Sequence, residues 1–163
     1  MWRTIKHTIW IAACLIVLSG CDGRNNNTSV PSSPVRLAFD LRARFATFYP
    51  PVYCSYVTVD KNGYHYGKDT YLLSMGDYYG FAGVVVFVTQ ENTYAAMDLG
   101  CPHCLSKEQH CEVDGFYAKC PICREEYDLS LGIGNPTRGV SKEYLRRYEA
   151  RLDAGGMVLR ISN

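Results

Sequence analysis

The sequence predicts an all-β fold, a small antiparallel barrel or sandwich, on three observations. Short runs rich in Val, Thr and Tyr recur through the chain, Gly, Pro and Asn separate them, and a single stretch has helix-forming composition. Residues 52–60 (VYCSYVTVD) alternate and carry β-branched side chains, Lys61-Asn62-Gly63 is a hairpin turn, and residues 64–66 begin the return. Residues 83–89 (GVVVFVT) form a continuous apolar strand, Gln90-Glu91-Asn92 turns it, and residues 93–99 (TYAAMDL) come back. Residues 116–119, 126–129 and 157–161 are further short strands. Residues 142–152 have helix-forming composition, but their tyrosines and position suit an extended segment equally well.

The first twenty residues lie outside this pattern. Arg3 and Lys6 precede an apolar run over residues 9–18, too short to span a bilayer comfortably and typical of a signal-peptide core. Leu18-Ser19-Gly20-Cys21 closes the run and resembles the lipobox of bacterial lipoproteins. That resemblance implies that Cys21 takes a diacylglycerol on its sulfur and becomes the mature N-terminus. The chain would then be anchored to a membrane of the cell envelope and exposed outside the cytoplasm. An ordinary signal peptide or a stop-transfer anchor is the alternative. Residues 21–34 continue as a polar tether (CDGRNNNTSVPSSP) without apolar periodicity, and residues 35–163 have the length of one domain with one core.

Charge excludes one class of partner. With Arg3 and Lys6 removed, fifteen Lys and Arg face sixteen Asp and Glu, and no basic run stands out, so nucleic acid is not an expected partner. The thirteen tyrosines fit strand preference.

Of eight cysteines, Cys14 leaves with the signal and Cys21 carries lipid, so Cys54, Cys101, Cys104, Cys111, Cys120 and Cys123 remain. Outside the cytoplasm idle thiols become disulfides, so these six are ligands or bridges. Four of them form two boxes, Cys101-Pro102-His103-Cys104 and Cys120-Pro121-Ile122-Cys123, spaced C-x2-C-x15-C-x2-C. Two tight loops that each offer two soft ligands are a metal signature, and proline at the second position restricts the backbone of each turn. By spacing alone the set is a zinc ribbon on Cys101, Cys104, Cys120 and Cys123, with Cys54 and Cys111 left to pair. Oxidation within each box, without metal, is a further alternative.

The flanking residues resemble Rieske [2Fe-2S] domains. A strand pair over residues 83–98, running from Tyr94-Ala95 to Asp98, leads directly into a Cys-x-His box. A second Cys-Pro-led box follows, then Tyr127-Asp128, a Gly-containing turn, Pro136, Leu145 with Tyr148, and a hairpin at Gly155-Gly156. The resemblance covers about residues 84–161. It implies a Rieske-like barrel with an inserted metal-binding subdomain over about residues 99–137. It also implies a [2Fe-2S] cluster on Cys101, His103, Cys120 and Cys123, in a one-electron carrier that needs an unknown redox partner. Cys123 stands where the family has its second histidine, which adds negative charge beside the cluster. Leu105 and Arg124 stand where the family has glycines. No enzyme is expected. Cys101-Pro102-His103-Cys104 is also the tetrapeptide of thioredoxin-superfamily disulfide oxidants, but no βαβ pattern surrounds it here.

Overall fold

The computed structural model describes residues 27–51 and 55–163. The signal-like run, Cys14, the lipidation candidate Cys21 and Cys54 lie outside the described residues. The described chain is all-β and every strand pair is antiparallel. Its strands are β1 (Val35–Asp40), β2 (Tyr56–Asp60), β3 (Gly63–Tyr66), β4 (Asp69–Tyr71) and β5 (Tyr78–Tyr79). They continue as β6 (Val84–Val88), β7 (Tyr94–Asp98), β8 (Glu112–Asp114), β9 (Tyr117–Lys119) and β10 (Glu126–Asp128). The last three are β11 (Asn135–Arg138), β12 (Arg147–Leu152) and β13 (Val158–Ser162). Nine of them form one sheet in the order β4-β3-β2-β6-β7-β12-β13-β1-β5, and β11-β10-β9-β8 form a second, smaller one. The smaller sheet is inserted between β7 and β12, and among the described residues no helix is long and apolar enough to cross a membrane.

The β6–β7 hairpin explains why residues 83–89 are apolar without a break. Val84, Val86 and Val88 point into a core shared with Val35, Leu37 and Phe39 of β1, Val57 and Val59 of β2, and Leu159 and Ile161 of β13. Val85 and Phe87 point the other way, into a second core with Met97, Leu99, Tyr127, Leu129 and Leu145. A strand covered on both faces needs apolar residues at every position. Its turn is closed by Thr89 N–H donating to Thr93 O at 2.8 Å, with Asn92 at φ 59°, a conformation that Asn tolerates.

Residues 147–152 take the extended of the two conformations that the sequence left open, pairing with both β7 and β13. One segment differs from the sequence expectation. Residues 27–34, expected as tether, lie against the domain. Val30 is fully buried with Phe81 and Ala82, Arg146 Nε donates to its carbonyl at 2.7 Å, and Tyr144 N–H donates to Asn27 O at 2.9 Å. One valine in a polar run carries no periodicity, so nothing in the pattern marks it as a core residue.

Asp98 ties the hairpin to the chain on either side of it. Its carboxylate accepts from Phe81 N–H (2.7 Å), Ala82 N–H (3.2 Å), Gly100 N–H (2.7 Å) and Tyr148 O–H (2.7 Å). Burial pushes this carboxyl up, and the four donors, Tyr148 first, pull it back only in part. Asp98→Ala would leave three backbone donors without their acceptor, and urea unfolding should show a loss of about 3 kcal/mol, against about 1.5 kcal/mol for Tyr148→Phe. Equal and small losses in both variants would contradict this role.

Candidate metal centre

Each cysteine box is carried out of a strand and turned back by the same hydrogen bond. β7 delivers Leu99 and Gly100 to Cys101, and Leu105 N–H then donates to Cys101 O at 2.9 Å. The second box is the loop of the β9–β10 hairpin, where Arg124 N–H donates to Cys120 O at 3.0 Å and Cys120 N–H to Glu125 O at 2.9 Å. Leu105 (φ 51°) and Arg124 (φ 64°) both occupy the left-handed region that ends such a turn. A side chain there costs about 1–2 kcal/mol relative to a relaxed backbone, which is why glycine suits the position.

The two turns face each other. Cys101, Cys104, Cys120 and Cys123 bring their sulfurs within 4.8 Å of one another, with Cys101 and Cys120 buried and Cys104 and Cys123 half-buried. Two contacts cross between the loops, Cys101 Sγ to Cys123 Sγ at 3.6 Å and Cys104 Sγ to Cys120 Sγ at 3.8 Å. A tetrahedral ion with metal–sulfur bonds of about 2.3 Å sets its sulfurs about 3.8 Å apart, so these spacings fit one ion. His103, expected as a ligand by resemblance, is not among the converging donors. Its residue is exposed and its Nδ1 lies 3.9 Å from Cys104 Sγ. In a turn closed between the first and fifth residues, positions one and four share the inner side and position three faces out.

Cys101 is the electrostatic focus. The Cys111 thiol donates to it, and Tyr127 Oη, on a fully buried ring, lies 3.5 Å from its sulfur. The Cys111 contact, opposed by burial and aided by Tyr127 and the amides of Cys104 and His103, lowers the Cys101 thiol to about 4. Cys111 is pushed up strongly, first by holding its proton toward Cys101 and then by burial. Burial also raises the thiols of Cys104 and Cys123. A metal bound by these sulfurs would displace their protons.

Sequence reading did not single out Glu125. It is 1% exposed, and its Oε1 accepts from Val140 N–H (2.6 Å) and Ser141 N–H (3.1 Å), while Oε2 has no hydrogen-bond partner. Its own amide donates to Cys123. Gly139 packs on the carboxyl so closely that a Cβ there would overlap it. The one available signal is a Glu two residues after the second box. Its effect is to hold the loop after β11 against the second turn.

Leu105→Gly and Arg124→Gly should each raise stability by about 0.5–1 kcal/mol, the relief of the left-handed backbone less the added freedom of the unfolded chain. Urea unfolding with metal present checks this, and destabilisation by both changes would mean that the side chains contribute more than their backbone costs. No protein-family model and no curated protein matches the chain, so the assignment of this site rests on its own geometry and chemistry.

Proposed function

We propose that the chain is a zinc-binding protein in which Cys101, Cys104, Cys120 and Cys123 hold one ion that clips the small sheet together. The observation that carries this is the convergence of four sulfurs within 4.8 Å. A binuclear cluster divides its ligands between two irons bridged by sulfides, so the two pairs must stand further apart than ligands of one ion. The small sheet has three-residue strands at β8, β9 and β10, and such short elements gain most from a metal tie.

A second reading keeps the Rieske-like [2Fe-2S] cluster on Cys101, His103, Cys120 and Cys123, with one-electron transfer as the function. The sheet inserted after β7, which carries the second loop opposite the first, and the Tyr127 hydroxyl beside Cys101 favour it. It requires His103 to turn inward and Cys104 outward. On the lipobox-like residues alone, we also propose that Cys21 anchors this centre to a membrane surface, so Cys21→Ser should move the protein from the membrane to the soluble fraction.

Metal analysis of reduced protein purified without air separates the two metal readings. Zinc binding gives one zinc per chain and no colour; Cys104→Ser should weaken zinc binding tenfold or more, while His103→Ala leaves it within about twofold. A brown protein with iron and acid-labile sulfide, or loss of metal in His103→Ala with retention in Cys104→Ser, overturns the zinc proposal in favour of the cluster. Chelation should also expose Lys107 and Lys119 to trypsin while the large sheet stays intact.

A further inference from the structure

The four thiols are not equivalent, and their pairing has a direction. Each short contact across the loops joins one half-buried sulfur to one buried sulfur: Cys123 to Cys101 at 3.6 Å, and Cys104 to Cys120 at 3.8 Å. We infer that the metal-free chain is a disulfide-forming protein whose loops close on each other, as Cys101–Cys123 and Cys104–Cys120, and not within each Cys-Pro-x-Cys box. The inference uses the same four residues as the zinc proposal but stands on their spacing alone.

The chemistry follows from access. A low-molecular-weight disulfide such as oxidised glutathione reaches the half-buried sulfur of Cys104 or Cys123, and its own S–S bond breaks as a mixed disulfide forms. The buried partner, Cys120 or Cys101, then attacks the protein sulfur of that mixed disulfide. The second glutathione leaves as a thiol. For each bond two protein thiols lose two electrons and two protons, and one oxidised glutathione becomes two reduced ones.

Geometry favours the crossed pairs over pairs within a box. A disulfide needs its sulfurs about 2.05 Å apart, so the Cys101–Cys123 pair has to close by about 1.6 Å and the Cys104–Cys120 pair by about 1.8 Å. Two loops from different hairpins can supply that by approaching each other. The sulfur–sulfur contacts of 3.6 and 3.8 Å both cross between the loops, and neither joins two cysteines of one box. Cys111 is buried beside Cys101 but is the competitor that the crossed pairing leaves free.

Tryptic mapping reads the pairing directly. Cleavage at Lys68, Lys107, Lys119 and Arg124 places Cys101 and Cys104 on residues 69–107, Cys111 on residues 108–119, and Cys120 with Cys123 on residues 120–124. The full chain is stripped of metal by chelation, oxidised with glutathione disulfide, alkylated and digested without reductant. The expected product is residues 69–107 joined to 120–124, and fragmentation of the joined species assigns Cys101 to Cys123 and Cys104 to Cys120. The double variant Cys104→Ser/Cys120→Ser should keep one crosslink between the same two peptides. Four outcomes overturn the inference: separate peptides each oxidised within its box, residues 69–107 joined to 108–119, a crosslink to the Cys54 peptide, or thiols that all remain alkylatable. Zinc stoichiometry of the reduced chain is measured on the same preparation, so absence of zinc with crossed disulfides rejects the zinc proposal alone.

Discussion

Burial of the β6–β7 hairpin on both faces is the constraint on which the rest of the molecule depends. One face completes the core of the large sheet and the other roofs the small one, so neither half can be covered without it. The same hairpin ends in Asp98, whose carboxylate gathers amides from before β6 and after β7 and the hydroxyl of Tyr148 on β12. Cys101 follows three residues later. The first half of the candidate metal centre is thus mounted on the most thoroughly buried strand pair in the described chain.

The second half has a weaker mount. Cys120 and Cys123 sit in a hairpin of three-residue strands whose apolar contribution is Ala118, Tyr127 and the cysteines themselves. Tyr127 and Cys111 both address Cys101, so side chains of the small sheet reach across to the ligand on the large one. Glu125 performs the matching task on the far side, where its Oε1 collects the amides of Val140 and Ser141. A buried carboxyl with one oxygen unpartnered is a costly group to keep, and the loop it secures is the return path toward β12.

Much of this was legible in the residues. The unbroken apolar run of residues 83–89, the return over residues 93–99 and the two boxes gave the central hairpin and the four converging cysteines. The short strands β4, β5, β8 and β11 carry too few residues for alternation to register, and β1, which alternates buried and exposed residues, follows directly on a polar run that carries no such pattern. Flanking similarity points to His103, whereas the turn closed by Leu105 N–H brings Cys104, not His103, among the converging sulfurs. Leu105 and Arg124 kept the glycine-like backbone without being glycine, which no composition rule would have signalled.

The exposure pattern of the four thiols sets how the centre meets its surroundings. The first cysteine of each box is buried and the last is half-buried, so the loops are related as near-copies and present one edge, Cys104 to Cys123, toward solvent. Burial raises both thiols of that edge, whereas Cys101 is lowered by donors that face inward. An ion held by all four would take its innermost sulfurs from the first cysteine of each turn and its outermost from the last, and binding would release the protons of the outer thiols.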